Sequence, residues 1–265
     1  VTDNAPFFFF TLKLGQVLNP RLKHAAMDWK VNLGVAVLLM VLAISLLAVL
    51  AFLVIPLAVH GRRQDHPMLP LLYFVMIGLG YIIVEITLIQ RFVLFLGHPT
   101  YALTVVVFLL LLSSGAGSMI SRRWLSNSTK VWRPLLMAIA ILLLYVAVLP
   151  QLLNLLIGIA FPAKLLTSAL LLAPLGFIMG MPFPTGLRAL SHFADKEPNG
   201  RSIEWAWALN AGASVLGSVT AILVAIQFGL NATLLCGAAS YALALLLAHT
   251  LQSRGFVGKP FVTLV

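Results

Sequence analysis

The chain has 265 residues, of which 61% are hydrophobic and 9% are charged, and its mean hydropathy is +1.05. A soluble domain carries roughly 25% charged residues, so this composition excludes a soluble globular domain and a disordered tail. The 17 Lys and Arg outnumber the 7 Asp and Glu, for a net charge of +10, yet the cations sit at the ends of apolar runs. That placement points to loops beside anionic lipid heads and not to nucleic acid.

Seven spans of about 20 residues would use most of the chain. Little then remains for an extramembrane catalytic lobe. The fold class that follows is all-α: a polytopic transmembrane helical bundle of about seven spans, within a range of six to eight. No strand alternation of the outer-membrane barrel type is present.

Charge-free runs locate the spans in chain order. Span one is Val31 to Val59, long enough to tilt or project. The linker GRRQDHPMLP breaks it. Span two runs from Leu69 to about Phe95 and carries Glu85, Gln90 and Arg91. Gly97-His98-Pro99 is a turn, and span three is Tyr101 to Ile120. Span four is Leu135 to about Leu149, ended by Pro150. The stretch QLLNLLIGIAFPAK either extends span four or lies re-entrant or interfacial. Span five is Leu165 to about Met181 and runs into MPFPTGLR. Span six is Trp205 to Gln227, a turn follows at Gly229, and span seven is Leu230 to His249. The single cysteine, Cys236, allows no disulfide within the chain and reads as a small buried apolar side chain.

With seven crossings, six cations including Arg91 and Lys164 fall on one side and eleven on the other. The positive-inside rule then places the C-terminal side in the cytoplasm, while the split becomes 15 to 2 if the first long run does not cross.

Three features carry candidate chemistry. Glu85 lies midway through span two, where an ionised carboxylate costs about 2.5–3.5 kcal/mol or more. Gly78, Tyr81 and Glu85 share one helix face. Glu85 is either a proton, cation or amine site, or a structural carboxylate, protonated or paired with an arginine from a neighbouring helix. Arg91 lies on another face and is a poor partner within the helix. Tyr81, Glu85, Arg91 and Asn210 form the candidate substrate-binding set.

The second feature is the break at Gly180, Pro182, Pro184 and Gly186. Its prolines free backbone carbonyls, which are tolerated at membrane depth only in protein or beside a wet cavity. Transporters use broken helices in this way. The competing reading places the break at the membrane edge, and Arg188 with the polar loop behind it points there.

The third feature is small residues at helical spacing. Ser113 and Gly117 on span three, with Ala213 and Gly217 on span six, read as helix-packing positions. Asn210 either supports that packing or bonds Glu85 or the broken backbone near Pro182. The six histidines show no metal-ligand spacing, and no P-loop, dinucleotide fingerprint, GxSxG or CxxC is present. No catalytic residue, metal or cofactor is assigned within the chain.

The segments VTDNAPFFF, LGYIIVEITLIQRFVLFLGHPTYAL, APLGFIMGMPFPTGLRAL and WAWALNAGASVLGSVTAIL together resemble the membrane region of bacterial spermidine-synthase-like fusion proteins. Asn4 departs from that family's TDDxPF pattern, standing where a second Asp is usual. The resemblance implies three regions. Residues 1–29 would be the tail of an upstream spermidine-synthase-like domain and a linker. Residues 30–253 would be the membrane domain, and residues 254–265 a C-terminal tail. It also implies that an S-adenosylmethionine-type cofactor and any aminopropyltransferase-like or methyltransferase-like chemistry lie upstream. The membrane domain itself would be non-catalytic, anchoring, and able to bind or pass a small cationic substrate. The alternatives are a stand-alone transporter-like protein and a structural subunit of a larger membrane complex. Partners would be lipids, the upstream domain or other subunits, in a bacterial inner membrane. A cytoplasmic adenosyl domain ahead of Val1 favours an even number of crossings.

Overall fold

The computed structural model describes residue 4 and residues 29–57, 68–124, 132–194 and 202–253. The proposed upstream tail, apart from Asn4 and Trp29, and the proposed C-terminal tail lie outside the described residues. Every described element is a helix or a turn. That is what hydrocarbon demands, because a helix satisfies its own backbone donors and acceptors.

Helix α1 spans Trp29–Val49 and passes into a π-helical turn, Leu50–Val54. Then come α2 (Met68–Leu96), α3 (Pro99–Trp124) and α4 (Trp132–Leu155). Helices α5 (Phe161–Met179) and α6 (Pro182–Ala194) are followed by α7 (Ser202–Phe228) and α8 (Leu230–Ser253). Among the described residues, seven segments are long and apolar enough to cross a membrane, with α5 and α6 joined in one.

Helix α2 is the hub. It packs most heavily on α7 and α8 and also on α3. Phe74, Leu88 and Phe92 of α2 and Tyr241 of α8 are among its fully buried side chains. Helix α1 is the least buried span and leans mainly on α7.

Two turn glycines set the corners. Gly97 (φ +80°) and Gly229 (φ +86°) take the left-handed conformation that ends a helix without a Cβ penalty. Asn4 then caps α8. Its Oδ1 accepts the Asn231 N–H at 2.8 Å, and its carbonyl accepts the Leu230 N–H at 2.7 Å. Helix-start donors that α8 cannot bond internally are thereby satisfied.

The structure corrects the sequence reading at three points. Pro150 does not end span four but lies inside α4, which continues to Leu155. A proline forfeits one helical hydrogen bond, and neighbouring helices make that tolerable in a membrane. Cys236 is exposed on the outer side of α8, not buried. Among the described residues the count of membrane-length helices is odd, where the resemblance favoured an even one, and Asn4 sits at the start of α8 while Ser253 ends it.

Candidate functional site

Each helix contributes by the residues that let it approach its neighbour. On α3, a Cβ at Gly117 would collide with the Phe177 carbonyl of α5. Ser113 lies against Gly176 in the same contact. On α7, Gly217 meets Leu79 and Ile82 of α2, and Ala213 is buried. Gly186 of α6 rests on the Tyr73 ring. These small residues set close helix spacing, which van der Waals packing needs in lipid.

Polar stitches then fix the register. Asn210 Nδ2 donates to the Phe74 carbonyl at 2.9 Å. Ser214 Oγ donates to the Gly78 carbonyl at 3.3 Å and to the Asn210 carbonyl at 3.0 Å. The Asn210 amide therefore goes to α2 backbone, and not to Glu85 or to the backbone at Pro182.

The break between α5 and α6 lies inside the bundle. Gly180 abuts the backbone of Ser114. Ser114 lies about 15 Å short of the end of α3, ten residues at the helical rise. Pro182 and Pro184 fall in the first turn of a new helix, where a missing N–H costs little. The Pro182 carbonyl receives the Tyr73 hydroxyl at 3.0 Å. Arg188 Nη2 ties α6 to α3 through the Ser121 carbonyl and hydroxyl, both at 3.2 Å.

Around this break lies a cavity of about 280 Å³. Helix α2 gives it Gly78 and Tyr81, and α3 gives Ser114, Gly115 and Ser118. The break gives Gly180 and Pro184, and α7 gives Asn210 and Ser214. Helices α3 and α7 make few contacts with each other, so α2 forms a floor between them. Tyr81 Oη reaches across to Ser114 Oγ at 3.5 Å. Neither Asn210 Oδ1 nor Ser118 Oγ has a hydrogen-bond partner among the described residues. No Lys, Arg or His lines the cavity. Ile77, Leu111, Met179 and Phe183 make the rest of its wall apolar, so its polar groups are a few hydroxyls and one amide, with no cation among its described lining residues.

Glu85 does not line the cavity. It lies one helical turn beyond Tyr81 on the same face of α2, about 6 Å along the axis. It is half-buried and close enough to Tyr81 for the two to interact electrostatically. It has no hydrogen bond or ion pair among the described residues. Arg91 belongs elsewhere. It is 4% exposed, and its Nη2 donates to Asn231 Oδ1 at 2.5 Å at the far end of α2.

Of the substrate-binding set read from sequence, Tyr81 and Asn210 meet at the cavity, Glu85 adjoins it, and Arg91 is apart. Sequence reasoning missed Ser114 and Ser118. The signal was the run SSGAGS, which carries two adjacent stripes. The stripe of Ser113 and Gly117 faces α5, while Ser114 and Ser118 face the cavity. No group of three His, Cys, Asp or Glu that could hold a metal occurs among the described residues.

No protein-family model, no curated protein and no solved structure matches the chain.

Proposed function

We propose that the chain is a non-catalytic membrane domain whose cleft binds a small cationic or amphiphilic amine. The observation that carries this reading is a cavity with hydroxyl and amide groups but no cation among its described lining residues, and a carboxylate one turn away with no ion pair among the described residues. An ammonium group brings only donors and a positive charge. Tyr81, Ser118 and Asn210 offer oxygens to those donors, and Glu85 offers the opposite charge. Intramembrane carboxylates facing a bundle interior commonly mark substrate or ion pathways.

The resemblance to spermidine-synthase-like fusions supports the same ligand class. On that reading the chain anchors an upstream transferase-like domain in a bacterial inner membrane. The positive-inside rule puts the end holding Arg122, Arg123 and Arg133 in the cytoplasm, with Asn4 on the opposite side. An upstream domain using an adenosyl cofactor would need the reverse orientation.

The test is a titration of spermidine and putrescine into the chain reconstituted in lipid nanodiscs, read by calorimetry. Saturable binding supports the proposal, and no heat at any millimolar concentration sinks it.

A second reading, a transporter-like protein, is favoured by the position of the α5–α6 break at the cavity wall. Amine flux into proteoliposomes would select it over a binding domain.

A further inference from the structure

A second, larger recess lies on the other side of α3. It runs over α5 between α3 and α4 and has a volume of about 840 Å³. Helices α3 and α4 make few contacts with each other, which leaves α5 open along this line. Ala169, Ala173 and Pro174 keep the floor low, and Phe177 and Met137 form apolar walls. The one polar wall residue, Ser113, already bonds the Leu109 carbonyl at 2.5 Å. The interior therefore offers nothing to a polar ligand.

One end is different. Trp124, from the end of α3, and Arg133, from the start of α4, close it. The Trp124 ring packs edge-on to Phe177, with centroids 6.1 Å apart. The Arg133 guanidinium sits 5.6 Å from the Trp132 ring centroid and is exposed. Arg122 and Arg123 occupy the last turn of α3, next to Trp124 in sequence. Tryptophan and arginine in this arrangement mark the level of the lipid headgroups.

We infer that this groove holds one anionic phospholipid, its phosphate at Arg133 and an acyl chain along α5. Charge complementarity selects the occupant. A transmembrane helix from another chain could fill the apolar length, but it would leave Arg133 facing no anion. A guanidinium meets a phosphate through paired hydrogen bonds, and a zwitterionic headgroup carries an ammonium that partly cancels the attraction. The site is separate from the amine cleft, since Ser113 faces one and Ser114 the other.

The full chain, delipidated in mild detergent, would be titrated with phosphatidylglycerol and phosphatidylcholine of identical acyl chains and read by native mass spectrometry. The expected result is one retained phosphatidylglycerol per chain, preferred about fivefold, the effect of one arginine near the headgroups. Arg133→Gln should bring the two lipids toward equal retention. Ala173→Trp should reduce both, with helicity by circular dichroism unchanged. Equal retention of the two lipids by the wild type, or an undiminished preference in Arg133→Gln, overturns the inference. So does an Ala173→Trp variant that changes the dimer fraction but not the bound lipid. If Ala173→Trp does not fold, the exposed Arg133 carries the test alone.

Discussion

Asn210 reaches across 136 positions of sequence to donate its Nδ2 to the Phe74 carbonyl at 2.9 Å. That bond holds α7 against α2 and leaves Asn210 Oδ1 at the cavity. The residue thus serves packing with one atom, and the proposed ligand contact falls to the other. Asn210→Ala should destabilise the bundle by about 0.6 kcal/mol, the average for an interhelical bond in a membrane protein. Reversible unfolding in mixed micelles checks this, and a loss of several kcal/mol would show a larger structural role.

Gly115 and Gly117 lie two residues apart on α3 and should respond oppositely to alanine. A Cβ at Gly117 meets the Phe177 backbone, whereas one at Gly115 meets nothing within 4 Å. Gly117→Ala should cost about 1–3 kcal/mol by overpacking. Gly115→Ala should be neutral or gain up to about 0.5–1 kcal/mol from lost glycine freedom. Melting temperatures of the two variants decide it, and equal shifts would contradict the α3–α5 contact.

Two buried tyrosines give a second matched pair. Tyr73 donates to the Pro182 carbonyl, while the Tyr241 hydroxyl has no hydrogen-bond partner among the described residues. Tyr73→Phe should therefore cost about 0.5–1.5 kcal/mol. Tyr241→Phe removes an unsatisfied polar atom from the core and should be neutral or stabilising. A destabilised Tyr241→Phe variant would mean that the hydroxyl finds a partner.

Arg91 should matter for stability and not for the ligand. Its bond to Asn231 joins α2 to α8 about 15 Å along the helix from Tyr81. Arg91→Ala should lower stability by about 1.5–3 kcal/mol, the range for hydrogen bonds to charged groups. Spermidine affinity of the folded fraction should be unchanged in the same calorimetric titration. A large affinity loss would return Arg91 to the binding set.

These pairs also show where sequence reading reached and where it stopped. The spans were legible because hydrocarbon leaves no alternative to long apolar helices, and the corners because Gly97 and Gly229 mark them. Tyr81 and Asn210 stood out as polar groups in apolar runs. Helix α6 did not, because Pro182 and Pro184 mark the break without showing that a new helix starts on them. Pro150 misled for the same reason: the cost of a proline depends on neighbours that only the packed bundle supplies. Ser114 and Ser118 were hidden beside Ser113 and Gly117, since a run of small residues does not say which stripe faces which helix.

The central claim is that Glu85 supplies the charge for an amine held at the Tyr81–Asn210 cavity. The direct measurement is spermidine affinity in nanodiscs for the wild type against Glu85→Gln, with unfolding measured alongside. Glu85 has no ionic partner among the described residues, so Glu85→Gln should leave stability unchanged or raise it. Affinity should fall by at least about tenfold, the equivalent of 1.4 kcal/mol. Equal affinities in a folded Glu85→Gln protein would contradict the account.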